Sequence, residues 1–156
     1  MFVEDPGLES SFVCVQRDDG RFRIVSSRVV NVLLLEDDEV DAKLIAMQVA
    51  SFKDLDVRIV HATSVSEARE ALSQEKFDLA IIDYWLGCES SLRFLAELDV
   101  WVRGLPAIVL TGLCTSDVRD LCLHAGAIGF LDKAPLTTEA FEAAIVAALD
   151  WRTPTC

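Results

Sequence analysis

The segment Asn31-Val-Leu-Leu-Leu-Glu-Asp-Asp-Glu-Val-Asp41 joins an apolar run directly to a cluster of acids. The four apolar residues, 32–35, are typical of a strand that is buried on both faces, as in a parallel sheet. Five of the next six residues are carboxylic acids, and their mutual repulsion requires a physical explanation. Asp38, Glu39 and Asp41 suit the first turn of a following helix, where acids interact favourably with the helix dipole.

Glu36 and Asp37 are not explained by a helix dipole. They follow the predicted strand directly, and ligands bind at the carboxyl ends of the strands in open parallel sheets. A close pair of carboxylates is tolerated best when a divalent cation neutralises it. The segment therefore predicts a buried strand that ends at a cation site.

Strand-like and helix-like segments alternate along the rest of the chain. The further predicted strands are VRIVHA, FDLAIID, PAIVLT and AIGFL, and a segment with helical character follows each one. The first helix carries Val40, Leu44 and Met47 at helical spacing, and the last is expected from about Thr137 to Trp151. Five βα units predict an α/β fold in which helices cover both faces of a doubly wound, five-stranded parallel sheet.

The first 28 residues lie outside these five units. Residues 11–25, SFVCVQRDDGRFRIV, place Asp19-Gly20 between two alternating runs, which favours a β-hairpin in which Gln16 faces Arg23. A disordered tail is the alternative, and an ordered hairpin would pack on the main domain or across a dimer. We expect the main domain to comprise residues 29–151 and a tail to comprise residues 152–156.

Composition limits the classes of function. A net charge of −12 argues against nucleic acid or an anionic membrane as a direct partner. The start of the chain does not resemble a signal peptide, and no apolar run approaches the roughly 20 residues that span a bilayer, so we expect a cytoplasmic protein. Five cysteines without C-x-x-C spacing indicate reduced thiols rather than a disulfide framework or a zinc site.

Three more polar residues stand at or just beyond the ends of predicted strands. Asp83 ends the third strand, Thr111 ends the fourth, and Lys133 closely follows the fifth. Parallel strands bring their carboxyl ends to one edge of the sheet, so these groups should gather beside Glu36 and Asp37. Each residue alone has an ordinary structural explanation, but together they form a constellation of acids, a hydroxyl and an ammonium.

This constellation suits the transfer of a phosphoryl group to a carboxylate. Asp83 would be the nucleophile. Mg²⁺, held by Asp37 and Asp83 with Glu36 acting through water, would neutralise the phosphoryl oxygens. Lys133 and Thr111 would bind the remaining oxygens as a point charge and a hydroxyl donor.

The chain resembles the receiver domains of two-component response regulators from about Val29 to Asp150. The matching segments are LLLEDD, IIDYWLG, IVLTG and GFLDK, which carry the acidic pair, the phosphoacceptor, the switch hydroxyl and the lysine. The resemblance implies a flavodoxin-like fold with strand order 2-1-3-4-5, Mg²⁺, and a histidine kinase or histidine phosphotransferase as phosphoryl donor. It also implies that the backbone carbonyl of Trp85 binds Mg²⁺ and that Phe130 is an aromatic switch residue.

The chain departs from the family pattern beside the lysine. A proline commonly follows the lysine after a cis bond, whereas here Ala134 separates Lys133 from Pro135. A cis bond between Lys133 and Ala134 would cost about 2.5–4 kcal/mol, so we do not expect one. The resemblance also implies that the side chains two residues after the phosphoacceptor and the switch hydroxyl, here Trp85 and Leu113, border the path of the water that hydrolyses an aspartyl phosphate.

Only five residues follow the last predicted helix, so we expect a stand-alone receiver that signals through protein–protein contacts. The fourth helix, fifth strand and fifth helix are the expected surface for the downstream protein, and apolar residues beyond the core face of the last helix indicate a possible homodimer.

A pseudo-receiver scaffold that is never phosphorylated remains an alternative. A Mg²⁺-dependent phosphohydrolase of the haloacid dehalogenase type is another, although Trp85 stands where such enzymes need a second aspartate. On the favoured interpretation the protein is not an enzyme beyond its own phosphorylation chemistry.

Overall fold

The computed structural model describes residues 12–16, 22–26, 29–101 and 104–151. Two strands precede the main domain, β1 (Phe12–Gln16) and β2 (Phe22–Ser26). The strands of the main domain are β3 (Val29–Leu35), β4 (Asp56–Ala62), β5 (Leu79–Ile82), β6 (Trp85–Leu86), β7 (Glu89–Ser90), β8 (Ala107–Thr111) and β9 (Gly129–Asp132). The helices are α1 (Glu39–Ala50), α2 (Val65–Gln74), α3 (Leu92–Trp101), α4 (Ser116–His124) and α5 (Thr138–Asp150).

The central sheet has five parallel strands in the order β4-β3-β5-β8-β9. Numbered along the chain, the core strands therefore run 2-1-3-4-5, which confirms the predicted doubly wound topology. Strand β3 pairs with β4 on one side and β5 on the other, and this central position explains the unbroken apolar run before Glu36. Strands β5 and β8 are buried along their whole length for the same reason.

Helices cover both faces of this sheet, and the pleat divides the strand residues between two cores. Leu33 and Leu35 point to the layer formed by α2, α3 and α4, whereas Val32 and Leu34 point to the layer formed by α1 and α5. Within the second layer Phe141 is fully buried and meets Phe52 edge to face, with 5.5 Å between the ring centroids. Both faces of the sheet are therefore packed against helices, as the α/β prediction requires.

Side chains at the start of four helices satisfy the free backbone N–H groups there. Asp38 accepts hydrogen bonds from the N–H groups of Val40 and Asp41. Thr115 and Thr137 cap α4 and α5 in the same way. Ser64 accepts from the N–H of Glu67 and caps α2, and the carboxylate of Glu67 accepts from the N–H of Thr63.

The apolar spacing on α1 correctly indicates a helix, but those residues do not form its buried face. Val40, Leu44 and Met47 are exposed. The helix buries a different stripe instead, made of Ala42, Ile45 and Val49. Helical periodicity fits both stripes, so the apolar spacing alone does not select the buried one.

The segment before the main domain pairs as an antiparallel hairpin, but the predicted register is wrong by one residue. Gln16 is paired with Phe22 and Cys14 with Ile24, whereas an Asp19-Gly20 turn would pair Gln16 with Arg23. A shift of one residue exchanges the faces of a strand, so turn chemistry alone did not fix the pairing. The predicted turn itself lies outside the described residues.

Helix α5 buries one apolar stripe and leaves two large apolar side chains outside it. Phe141, Ile145 and Ala148 are buried, whereas Val146 and Trp151 are exposed. The Ala134–Pro135 bond just before this helix is cis. The last helix thus has an inner apolar face and separate apolar residues on its outer side.

Replacement of Phe141 by alanine should lower the free energy of unfolding by about 3–5 kcal/mol, because it leaves a cavity between α5 and the sheet. Val146→Ala, on the exposed side of the same helix, is the matched control and should change it by less than about 0.5 kcal/mol. Urea denaturation of both variants measures the difference. Equal effects would show that α5 does not pack on the sheet through Phe141.

Candidate functional site

The sheet brings the predicted site residues to one edge. Glu36 and Asp37 follow β3, and Asp83 follows the neighbouring strand β5. Thr111 is the last residue of β8, and Lys133 comes directly after β9. All five therefore lie at the carboxyl ends of adjacent parallel strands, as the strand order requires.

Lys133 is the centre of this cluster. Its Nζ donates hydrogen bonds to Glu36 Oε2 at 2.6 Å and to Asp83 Oδ2 at 3.0 Å. It also donates to Asp41 Oδ2 at 2.7 Å. One ammonium from the edge strand β9 thus binds carboxylates from β3, β5 and α1.

Glu36 is an acid with almost no access to solvent, since only 1% of its surface is exposed. Its Oε1 accepts from the N–H of Asp38 at 3.0 Å, and its backbone carbonyl lies 2.7 Å from His61 Nε2. Burial raises the pKa of Glu36 to about 7, although the bonds from Lys133 and the Asp38 N–H oppose that rise. The carboxylate therefore changes its charge near neutral pH.

The residues present fit a divalent cation. Glu36, Asp37 and Asp83 each place a carboxylate oxygen within 4.8 Å of the others. Glu36 and Asp83 are buried, whereas Asp37 is exposed and provides the open side of the cluster. Hard cations such as Mg²⁺ and Ca²⁺ bind this kind of all-oxygen donor set. Gly87, at a φ of 65°, lies so close that a Cβ there would stand 3.8 Å from Asp37 Oδ2.

The charge balance of the cluster also favours a cation. Three carboxylates, those of Glu36, Asp41 and Asp83, contact the ammonium of Lys133. The carboxylate of Asp37 adds a fourth negative charge within 4.8 Å of Glu36 and Asp83. Burial lowers the pKa of Lys133, but its hydrogen bonds to Asp41, Glu36 and Asp83 outweigh that effect and raise the pKa above its usual value. Lys133 therefore stays charged, and the site retains an excess of negative charge that a divalent cation would offset.

Thr111 ends β8, and Phe130 lies on β9, three residues before Lys133. Thr111 is 1% exposed, and its Oγ1 accepts from the N–H of Leu113 at 3.2 Å. Its carbonyl accepts from the backbone N–H of Lys133 at 3.0 Å, and this bond holds the backbone of Lys133 against the end of β8. Phe130 on β9 is half-buried against the core formed with α2, α3 and α4.

Trp85 is the first residue of β6, and Leu113 follows the end of β8 by two residues. Trp85 is 43% exposed and Leu113 is 41% exposed. The indole of Trp85 meets the ring of the buried Tyr84 edge to face, with 5.4 Å between centroids. Trp85 is thus held at the surface directly after the strand-end residues Asp83 and Tyr84.

Asp41 is a site residue that the sequence analysis missed. Its position in the first turn of α1 is explained by the helix dipole, and its contact with Lys133 joins residues 92 positions apart. One signal was available: Asp41 is the third residue of α1, and helical side chains point back towards the N-terminus of their helix. That direction aims the carboxylate at the loop that holds Glu36 and Asp37.

The chain belongs to the response regulator receiver domain family, whose model matches residues 32–145. A curated relative is the transcriptional regulatory protein MalR of Bacillus subtilis (strain 168), which is 26% identical over 117 residues. That alignment covers 75% of this chain but only 49% of MalR. The chain thus spans about half the length of this relative.

Solved structures share the fold. A CheY-like receiver domain from Methanospirillum hungatei JF-1 aligns with a TM-score of 0.68 and 22% identity, and covers 80% of this chain and 97% of that one. A response regulator from Burkholderia pseudomallei, described with a phosphorylated aspartic acid, a calcium ion and citrate, has a TM-score of 0.61 and 29% identity. That alignment covers 77% of this chain and 66% of the Burkholderia chain.

Two further predictions concern the membrane and the cysteines. Among the described residues, no helix is both long enough and apolar enough to cross a bilayer. Cys88, Cys114 and Cys122, the cysteines whose side chains the structure describes, are free thiols. Burial raises the pKa of Cys122 to about 11, which keeps it protonated inside the core.

The raised pKa of Glu36 predicts a pH-dependent affinity for Mg²⁺. A proton on Glu36 competes with the cation, so affinity should fall as the pH is lowered through about 7. Between about one pH unit above and one below that pKa, we expect the affinity to fall about tenfold. Calorimetric titration with Mg²⁺ at the two pH values measures this ratio.

Glu36→Gln is the control for this experiment. The variant should bind Mg²⁺ more weakly, and the pH dependence should largely disappear because its amide does not titrate in this range. A wild-type affinity that stays constant down to the usual pKa of a glutamate would contradict the assignment of the titration to Glu36.

Proposed function

We propose that the protein accepts a phosphoryl group on Asp83 and changes a protein-binding surface in response. The observation that carries this proposal is the contact of Lys133 Nζ with Asp83 Oδ2 at 3.0 Å, inside an acidic cluster that fits a divalent cation. The Burkholderia relative, described with a phosphorylated aspartic acid, supports the same chemistry. A histidine kinase or a histidine phosphotransferase is the proposed donor.

In the proposed step an oxygen of Asp83 forms a bond to phosphorus while the phosphorus–nitrogen bond of the donor's phosphohistidine breaks. The electron pair of that bond returns to the imidazole, which takes up a proton as it leaves. Asp37, Asp83 and the backbone carbonyl of Trp85 would hold Mg²⁺, with Glu36 acting through water, and the ion would supply positive charge beside the phosphoryl oxygens.

The remaining residues bind and orient the transferred group. Lys133 donates a hydrogen bond to one phosphoryl oxygen, and the Thr111 hydroxyl donates to another. Thr111 is buried beside the site and its carbonyl is bonded to the Lys133 backbone, so a movement of either residue shifts the end of β9. Phe130 on β9 is half-buried and is the proposed aromatic switch.

Phosphorylation then alters the outer surface of α4, β9 and α5. Exposed apolar side chains on these helices are available to a protein partner. They are Leu121, Leu123, Val146 and Trp151. We propose that this surface binds a downstream protein or a second copy of the chain.

Incubation with acetyl phosphate and Mg²⁺ tests the proposed function. Wild-type protein should gain the mass of one phosphoryl group, and Asp83→Asn should gain none, because its amide is a poor nucleophile. Intact mass spectrometry measures both. Lys133→Met is a second control and should slow the reaction while leaving Asp83 in place.

The same experiment separates the alternatives. Continuous phosphate release without a stable adduct would favour a phosphohydrolase, and no reaction at all would favour an unphosphorylated scaffold. An equal mass increase in Asp83→Asn would show that another residue is the acceptor.

Trp85 and Leu113 should prolong the phosphorylated state. Neither side chain is suited to orient the attacking water, and hydrolysis depends on such alignment. The double variant Trp85→Asn, Leu113→Glu should therefore release phosphate severalfold faster than wild type. The control Leu123→Glu adds the same charge on α4, at a position that is also exposed, and should leave the rate unchanged.

Phosphate release is followed from purified phosphoprotein with Mg²⁺ present. Equal rates, or a faster wild type, would show that these two side chains do not shield the phosphoryl group.

A further inference from the structure

Asp41 contacts Lys133, although the proposed phosphorylation of Asp83 assigns no role to Asp41. Lys133 Nζ lies 2.7 Å from Asp41 Oδ2, closer than the 3.0 Å to Asp83 Oδ2. The Asp41 side chain is 40% exposed, whereas that of Asp83 is 10% exposed. Asp41 therefore binds the ammonium from the more open side of the site.

All donors of the Lys133 ammonium are engaged in the structure. An ammonium has three N–H groups, and here three carboxylates, those of Glu36, Asp41 and Asp83, accept them. A phosphoryl oxygen therefore gains a hydrogen bond from Lys133 only if one of these contacts is given up.

The three partners differ in how easily they release the ammonium. Glu36 is 1% exposed and makes the shortest contact, so its separation from Lys133 would leave a buried acid without its cation. Asp83 carries the phosphoryl group itself. Asp41 can return to water at the lowest cost, because its side chain is the most exposed of the three.

We propose that Asp41 is a positioning residue that competes with the phosphoryl group for Lys133. This inference rests on the proposed function of Asp83. The Asp41 carboxylate holds the ammonium towards α1 and partly neutralises it, and both effects weaken the binding of a phosphoryl group. The same negative charge lies beside the acids Glu36, Asp37 and Asp83, so it strengthens the binding of a divalent cation.

These two effects have opposite signs, and this distinguishes the proposal from a structural role. A residue that only maintains the shape of the site would weaken the binding of cation and phosphoryl group together when it is replaced. Loss of the Asp41 charge should instead weaken cation binding and strengthen phosphoryl binding.

Asp41→Asn removes the charge and keeps the size of the side chain. Beryllofluoride, an analogue of the phosphoryl group on a carboxylate, is titrated at saturating Mg²⁺ for each protein, and Mg²⁺ is titrated alone by calorimetry. We expect Asp41→Asn to bind beryllofluoride about three- to tenfold more tightly than wild type and to bind Mg²⁺ more weakly.

Glu39→Gln is the matched control, because it removes one negative charge from an exposed position in the same helical turn. Its affinity for beryllofluoride should lie close to that of wild type. Asp41→Glu retains the carboxylate and should restore both wild-type affinities.

Three results would overturn the inference: equal effects of Asp41→Asn and Glu39→Gln, weaker beryllofluoride binding by Asp41→Asn, or an Asp41→Glu variant that behaves like Asp41→Asn. Failure of the proposed function gives a different pattern. In that case wild-type protein would itself bind no beryllofluoride at saturating Mg²⁺, which would reject both proposals together.

Discussion

The hydrogen bonds from the ammonium of Lys133 to the carboxylates of Glu36, Asp41 and Asp83 are the interaction on which the site depends. These bonds connect residues 97, 92 and 50 positions apart in sequence. Lys133 follows the edge strand β9, while Glu36 and Asp83 follow β3 and β5, so the lysine reaches past the end of β8. The position of Thr111, at the end of β8, follows from the same strand order.

This cluster also shows how the chain tolerates acids at the end of its most buried strand. Isolated charges are expensive to remove from water, and Glu36 is almost completely removed. Its carboxylate is offset by the Lys133 ammonium and by the N–H of Asp38, which also caps α1. The local structure that starts the helix therefore supports the buried acid, and the remaining negative charge makes the site suited to a cation.

The proposed function requires the hydrogen bonds of Lys133 to rearrange. Every donor of the Lys133 ammonium has a partner in the structure, so a phosphoryl group gains that donor only through competition. A movement of Lys133 would in turn involve the ends of β8 and β9, because Lys133 directly follows β9 and its backbone N–H is bonded to the Thr111 carbonyl. Phosphorylation of Asp83 would thereby affect β9, the strand that carries Phe130 and lies next to the outer surface of α4 and α5.

The sequence was sufficient for the topology and for the five residues at the strand ends. Unbroken apolar runs identify strands buried on both faces, and parallel pairing then gathers Glu36, Asp37, Asp83, Thr111 and Lys133 without any knowledge of side-chain positions. The same reasoning did not find Asp41, because its partner is distant in sequence and its place in a first helical turn already had an explanation. It also did not identify the buried face of α1 or the hairpin register, since each depends on packing that periodicity does not encode.

A crystal structure of the protein with Mg²⁺ and beryllofluoride would test the central claim most directly. The account predicts beryllium bonded to an oxygen of Asp83, Mg²⁺ bound beside it by the acidic cluster, and Lys133 Nζ moved from Asp41 to a fluoride. Beryllium on another residue, or a Lys133 ammonium that keeps its contact with Asp41 and makes none with the fluorides, would contradict it.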